Sequence, residues 1–282
     1  MLLFPNSKIN IGLNVIGRRS DGFHNIETVF CPVGLCDILE ITPAKGEDNS
    51  QSRLTVTGVA VDSPPEKNLC MKAYSEMSKM FSLPGVNIHL HKVIPAGAGL
   101  GGGSSDAAFT VMGLNKIFDL KLNEAALKNA AGKTGSDSPF FMVNKPVFAT
   151  GTGNLFSETK LNLEKYRIVI VHPGIKIETA WAYSQIKPKK PDHSLKEIVK
   201  LPPESWQDHI VNDFEEIVFR EYPFIETIKK SLIEKGAVYA SMSGSGSACY
   251  GLFENRSAHI IRNSLENCFV WEGKCQNEIF EI

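Results

Sequence analysis

The most restrictive stretch of this chain is PAGAGLGGGSS, residues 95–105, set between an apolar strand pattern and an apolar helix pattern. Five glycines in positions 97–103 let the backbone take positive φ and approach a ligand with no Cβ in the way. Upstream, VNIHLHKVIP alternates as a strand does, and downstream AAFTVMGLNKIF propagates a helix. Ser104 and Ser105 offer hydroxyl donors and a helix N-cap. The start of that helix turns unpaired N–H groups and partial positive charge into the loop, so the unit is a cradle for an anion, phosphate above all. A flexible linker is a poor alternative, because it would not be held tightly between two apolar elements.

Two other nucleotide patterns are present in name. Gly97-x-Gly99-x-x-Gly102 satisfies the dinucleotide fingerprint. Pro95 stands directly before it, however, and two serines open the helix. The acid expected about twenty residues on should end a second parallel strand, whereas Asp119 falls in FDLKLN, just after a helix. Gly132-Lys133-Thr134 imitates the end of a Walker loop, but Leu127 occupies the position that needs glycine. His89 and His91 share one face of a strand and could ligate a metal. No third ligand is spaced to help them, which favours a solvated strand face.

The rest of the chain sets bounds on partners and compartment. Thirty basic and 31 acidic residues give a net charge of −1, so no general field attracts nucleic acid and any anion site must be local. The six cysteines, at 31, 36, 70, 249, 268 and 275, form no C-x-x-C pair and suggest neither a disulfide framework nor a zinc site. They read as small buried hydrophobes in a reducing, cytoplasmic setting. The opening MLLFPNSKIN lacks a basic region and is interrupted by Pro5, unlike a signal peptide. Nowhere do eighteen apolar residues run together, which argues against a membrane span.

Ile9, Ile11, Leu13 and Val15 alternate with Asn10, Gly12 and Asn14, the pattern of a half-buried strand. Gly17–Gly22 reads as a polar turn, followed by strands over 26–35, 38–42 and 54–61, and a helix over 67–81. Helices are expected over 104–118 and 124–133, a strand over 167–172, then two helices and the segment SMSGSGSACYGLF. A domain boundary falls near residue 155, dividing 1–155 from 156–282.

Several of these segments together resemble a known family. Pro95 to Ala108, P-x(4)-G-L-G-G-G-S-S-x-A-A, is similar to the second signature of the galacto-, homoserine, mevalonate and phosphomevalonate kinase (GHMP) superfamily. Ser243–Gly251, SGSGSACYG, resembles its third. Ser7–His24 is similar to the first motif of one branch, the diphosphocytidyl-methylerythritol kinases, and Gly135–Phe141, GSDSPFF, resembles that branch's catalytic aspartate segment. Asn68-Leu69 and Asn212-Asp213-Phe214-Glu215 also match that branch. The matches run in order from residue 7 to about residue 251.

The resemblance implies an α+β fold of two domains: an N-terminal mixed sheet of the ribosomal-protein type and a C-terminal ferredoxin-like αβ sandwich. It implies that ATP, with magnesium, phosphorylates the 2-hydroxyl of a cytidine-diphosphate-bearing polyol. The setting would be the non-mevalonate isoprenoid route of a bacterial cytoplasm, with no nucleic-acid or membrane partner. Oligomeric state and the protein ligands of magnesium do not follow.

By the same resemblance, Asp137 is the general base and Lys8 favours the developing alkoxide. A lysine beside the aspartate keeps it ionised but weakens it as a base, so late proton transfer and positioning are expected to matter most. Pro95, Ala96, Gly97, Ala98, Gly99, Leu100, Gly101, Gly102, Gly103, Ser104 and Ser105 would hold the ATP phosphates, with Asn68 and Lys92 near the adenine. Asn10 shares a strand face with Lys8 and would orient the acceptor. Phe23, which stands where the branch commonly has tyrosine, and Tyr183 would sandwich the cytosine, and His24 would bond its edge. Thr179, Gly244 and Ser245 complete the acceptor side. Asp106 stands where some relatives have asparagine, and no role follows for it.

Overall fold

After a two-residue β1 (Leu2–Leu3), the alternation around Ile9–Val15 becomes β2 (Asn6–Arg18), a strand buried on both faces along most of its length. The sequence pattern suggests a half-buried strand, yet Lys8, Asn10 and Asn14 are as enclosed as the isoleucines between them. The reason is tertiary. Ile9 and Ile11 pack into a core shared with Tyr166, Tyr250 and Leu252 of the C-terminal half, while Asn10 on the polar side hydrogen-bonds Ser243 and, on the neighbouring strand, Thr28. β2 pairs antiparallel with β3 (His24–Cys36) through several register shifts that bend the pair. Gly12 lies at one of these shifts with φ +64°, and a Cβ there would come 2.8 Å from both Ile210 and Leu195.

The computed structural model describes residues 1–44, 51–60, 64–254, 265 and 267–275. β4 (Ile38–Pro43), β5 (Arg53–Gly58) and β6 (Val86–Lys92) join β1 in a sheet of order β1-β4-β6-β5. β5 and β6 run parallel, as a crossover requires, and α1 (Leu69–Phe81) makes that crossover. The strand expected to reach Val61 ends at Gly58, and Val61 lies outside the described residues. α2 (Gly102–Ile117) packs on this sheet against β4, and α3 (Glu124–Gly132) and α4 (Ser138–Val143) pack on α2. Phe109, Leu114, Phe140 and Phe141 fill the core beneath them with Leu39, Ile41 and Leu90. β7 (Val147–Thr150) and β8 (Leu155–Glu158) extend the second sheet, in order β2-β3-β7-β8.

The C-terminal half starts with β9 (Tyr166–His172), followed by the short helices α5 (Thr179–Gln185), α6 (Leu195–Ile198) and α7 (Glu215–Glu221). α8 (Pro223–Glu234) follows and buries Ile225, Ile228 and Leu232, one stripe at helical spacing, on the third sheet. β10 (Tyr239–Met242), β11 (Cys249–Glu254) and β12 (Phe269–Gly273) form that sheet with β9, in order β10-β11-β9-β12, every pair antiparallel. No helix among the described residues is long and apolar enough to cross a membrane. The cysteines are all free, but they are not uniformly buried. Cys31, Cys70 and Cys249 are enclosed, whereas Cys36, Cys268 and Cys275 are half-exposed because they lie toward strand ends.

Candidate active site

The glycine loop lies between β6 and α2, and its side chains alternate in direction. Pro95, Ala98 and Leu100 are buried, and the last two anchor the loop in the shared core. The glycine backbone between them lines a cavity of about 340 Å³ bordered by residues 95–104, Asn68, Lys92 and Asp106. Gly101, at φ +71°, is the N-cap of α2. Ser104 and Ser105 therefore do not cap the helix as the sequence suggests. They lie in its first turn, and the 100° between successive residues sends them different ways. Ser104 is half-exposed on the cavity wall, while Ser105 is fully buried with an unpartnered hydroxyl.

The third glycine segment closes directly on the first. Ser243 Oγ donates to Gly99 O at 2.9 Å, and Ala248 N donates to Ala98 O at 3.1 Å. At Gly99, with φ +78°, a Cβ would sit 2.0 Å from Ser243 O, so glycine is required for this approach. Asn212 holds the Ser243 turn from below, its Nδ2 donating to Met242 O and Gly244 O at 2.8 Å each. Asp213 Oδ2 accepts from Val15 N at 2.7 Å. Glu215 Oε1 accepts from Met242 N and Ser241 Oγ. The Asn212–Glu215 segment is thus the bracket between β2 and the third glycine turn.

Lys8 lies where these parts meet. Its backbone N–H donates to Leu100 O at 2.9 Å. Its Nζ donates to Asn10 Oδ1 at 2.5 Å and Gly99 O at 3.0 Å, and lies 3.5 Å from Asp137 Oδ2. Burial lowers the Lys8 ammonium from its usual range, against the opposing pull of Asp137. Asp137 occupies the N-cap position of α4 but makes no side-chain cap bond, and it is partly open to solvent. A purely structural capping role therefore does not account for it. Asn10 is fixed on every side. Its Nδ2 donates to Thr28 Oγ1 at 2.9 Å, its N–H to Ser243 Oγ at 3.2 Å, and its carbonyl accepts from Tyr250 Oη at 2.8 Å.

A larger cleft, of about 1260 Å³, opens beside this group between the 19–24 turn, the 132–136 loop and α5. Phe23, His24, Thr179 and Tyr183 all line it. His24 stacks on Tyr183 at 5.1 Å between ring centroids, and Tyr183 in turn meets Phe214 edge-on. Phe23 does not take part in this stack. It stands 65% exposed at the rim, in a turn tied by Asp21 and Arg19. Burial, and after it the Asp137 carboxylate, push the Tyr183 phenol up to about 12. Thr179 and Ser245 hydroxyls meet at 3.1 Å at the surface, and Gly244 beside Ser245 is buried.

The positions expected near adenine behave differently from one another. Asn68 borders the glycine-loop cavity and also caps α1, accepting from Cys70 N at 2.9 Å. Lys92 borders the same cavity, but its ammonium is committed to Asp37 and Asp106, the latter at 2.7 Å, with all three groups buried. Asp37 also accepts from Val93 N at 2.6 Å and Ile94 N at 2.9 Å. Asp106, which had no assigned role, thus joins the first turn of α2 to the end of β6.

Residues 68–145 match the family of GHMP kinases N terminal domain, and residues 192–270 match GHMP kinases C terminal. A protein from Parabacteroides distasonis called 4-diphosphocytidyl-2-C-methyl-D-erythritol kinase is 48% identical over 275 residues, covering 97% of this chain and 99% of its own length. A protein of the same name from Bacteroides fragilis is 51% identical over 272 residues, with 96% and 98% covered. The chain belongs to the 4-diphosphocytidyl-2-C-methyl-D-erythritol kinase family of the GHMP kinases. A crystal structure of 4-(cytidine 5'-diphospho)-2C-methyl-D-erythritol kinase superposes with a TM-score of 0.82 at 30% identity, covering 99% of this chain and all of that one. A mevalonate kinase structure reaches 0.72 at 15% identity and shares the two-domain α+β fold.

Within this family frame, four parts of the site had not been expected from the sequence. Thr28 fixes Asn10 and donates to Gly12 O at 2.6 Å, and Ser243 spans both glycine loops. Asp37 anchors Lys92. Arg18, Lys72, Lys133 and Lys187 line the larger cleft. Ser243 and Arg18 stand within matched segments, Ser243–Gly251 and Ser7–His24, but carried no assigned role, whereas Thr28, Asp37, Lys72, Lys133 and Lys187 lie outside them, so only their neighbours give them meaning. The cluster of basic residues around GRRSDGFH was the one available signal.

Proposed function

We propose that this kinase transfers the γ-phosphoryl group of ATP to the 2-hydroxyl of 4-diphosphocytidyl-2-C-methyl-D-erythritol, giving the 2-phosphate and ADP. The observation that carries the residue assignment is the Lys8–Asp137 pair at 3.5 Å, with Lys8 held against Gly99 O where the two glycine loops meet and Ser136, next to Asp137, lining the larger cleft. Phosphoryl transfer demands chiefly an in-line acceptor and neutralisation of charge on the moving group. Asp137 accepts the hydroxyl proton, and Lys8 supports the alkoxide as it forms. Asn10, locked by Thr28, Ser243 and Tyr250, positions the Lys8 ammonium rather than wandering toward solvent.

The glycine backbone of residues 97–103, with Ser104, receives the phosphates, and Asn68 lies at the end where the base would rest. The Ser104 hydroxyl and the Lys92-bound Asp106 carboxylate border the loop cavity and Asp137 lies nearby against Lys8, a sparse hard-oxygen set that suits magnesium carried mainly by ATP's phosphates and water. When bound, the ion neutralises phosphate charge. On the acceptor side, Tyr183 offers a ring face to the cytosine, Phe23 closes from the rim, and His24 reads the base edge. Thr179, Gly244 and Ser245 line the polyol end. The same reading treats residues 1–155 as the ATP-binding half and 156–282 as the acceptor half, in a protein of the bacterial cytoplasm.

The test is ADP release with magnesium-ATP and one acceptor at a time: the cytidine-bearing polyol, mevalonate, homoserine or galactose. Turnover with the first alone is expected. Asp137→Asn should fold normally and lose kcat by about 10²–10⁴. Turnover of that variant near the wild-type rate would refute the base assignment.

A further inference from the structure

Two free cysteines from opposite ends of the chain meet away from the nucleotide and acceptor clefts. Cys31 is fully buried on β3, and Cys275 is half-exposed two residues beyond β12. The backbone brings them together: Val33 and Cys275 form an antiparallel bridge, and Gly34 N donates to Lys274 O at 3.3 Å. Cys31 lies two residues before Val33, so the two side chains share one face of β3, the face that the bridged Cys275 also presents. The two Sγ atoms are in direct contact at 2.6 Å. Neither residue borders either cleft.

We propose that Cys31 and Cys275 form a modification site, a thiol pair that a peroxide oxidises to an intramolecular disulfide. Cys275, the half-exposed partner, meets the oxidant first. Its sulfur attacks one peroxide oxygen, the O–O bond breaks, and with hydrogen peroxide one water leaves as Cys275 becomes a sulfenic acid. The Cys31 sulfur then attacks the Cys275 sulfur, the S–O bond breaks, a second water leaves, and the S–S bond forms. Two thiols lose two electrons and two protons, and one hydrogen peroxide is reduced to two waters. Burial holds the Cys31 thiol well above its ordinary range, which makes it a poor first nucleophile.

The position gives the link a consequence. Cys31 is the register partner of Ile9, between Lys8 and Asn10. Closing the loop from residue 31 to residue 275 ties the strand behind the active site to the edge of the C-terminal sheet. Such a long closure restricts the unfolded chain strongly, so the oxidised protein should melt at a higher temperature. A reducing environment would reverse the link, as it does for other thiol pairs of this kind.

The full-length protein would be treated with hydrogen peroxide, digested without reductant and read by mass spectrometry, with melting curves before and after dithiothreitol. A peptide pair joined through Cys31 and Cys275, lighter by two hydrogens and released by dithiothreitol, is expected. A reversible rise in Tm should accompany it in the wild type and be absent in Cys275→Ala, whose half-exposed site tolerates truncation. Peroxide that gives only sulfinic or sulfonic Cys275, or leaves the thiols intact, would overturn the proposal. So would an equal Tm rise in Cys275→Ala.

Discussion

Lys92→Met tests the group that sits beneath the phosphate loop. Methionine keeps the length of the stem and removes the ammonium that joins Asp37 to Asp106. Two buried carboxylates are then left without their cation. Removing one partner from a buried ionic group costs about 3–5 kcal/mol, a large share of the roughly 5–15 kcal/mol that holds an ordinary domain together. The cost should depend on pH. Burial above all pushes Asp106 up from 3.8 to about 8, with Asp37 adding to the shift and Lys92 opposing it. A carboxyl raised in the folded state binds its proton more tightly there than in the unfolded chain. Its contribution is therefore most favourable below about pH 4 and is lost as pH rises toward about 8. Without Lys92 to oppose the shift, the decline should steepen. Urea unfolding followed by circular dichroism at pH 5 and pH 8 measures both effects. A loss of about 3–5 kcal/mol is expected at pH 8, with a smaller loss at pH 5. Adding Asp106→Asn to Lys92→Met should recover part of it. Equal stability of variant and wild type at pH 8, or an identical loss at both pH values, would refute the reasoning.

Three further outcomes follow from the site geometry. Tyr183→Ala removes the ring on which His24 stacks, and KM for the cytidine-bearing acceptor should rise by roughly 5- to 150-fold, from about 1–3 kcal/mol of stacking, with little change in kcat. Steady-state kinetics with the acceptor varied decides it, and an unchanged KM would leave Tyr183 as core packing. Gly99→Ala places a Cβ against Ser243 O at a positive φ, so ATP protection in a melting assay should be lost or sharply weakened relative to the wild type. Because burial lowers the Lys8 ammonium, kcat/KM should fall on the alkaline side with an apparent pKa below 10.5, as charge is lost when pH rises through that lowered value. Lys8→Arg should move that limb upward if it retains activity, and an unmoved limb would assign it to another group.

The phosphate loop was legible because its chemistry is local. Glycines at 97, 99 and 101–103 have few uses other than positive φ and close approach, and the structure uses Gly97, Gly99 and Gly101 at positive φ. The helix that follows was legible for the same reason, although its cap was not. A cap is decided by the φ of one residue, and Gly101 took the place that two serines could have filled. β2 was legible as a strand but not as a strand enclosed on both faces. Alternation records what each side chain is, not what covers it. The aromatic stack shows the same limit. Tyr183 and the GRRSDGFH turn were both marked, yet His24 rather than Phe23 lies on the tyrosine ring.

The sequence by itself determined the glycine loop between strand and helix, the order of the motifs and, through their resemblance, the family, because each depends on residue types at short fixed spacing. Only the tertiary structure decided which groups share a site. It brought Lys8 from β2, Gly99 from the loop, Asp137 from the start of α4 and Ser243 from the C-terminal half to one point. It also placed Lys92, expected near the nucleotide and bordering the glycine-loop cavity, at the centre of a buried ion cluster. The physical reason is the same in both cases. A charged side chain removed from water must find its partners wherever the fold brings them, and those partners, Asp37 and Asp106 for Lys92, lie 55 and 14 residues away along the chain.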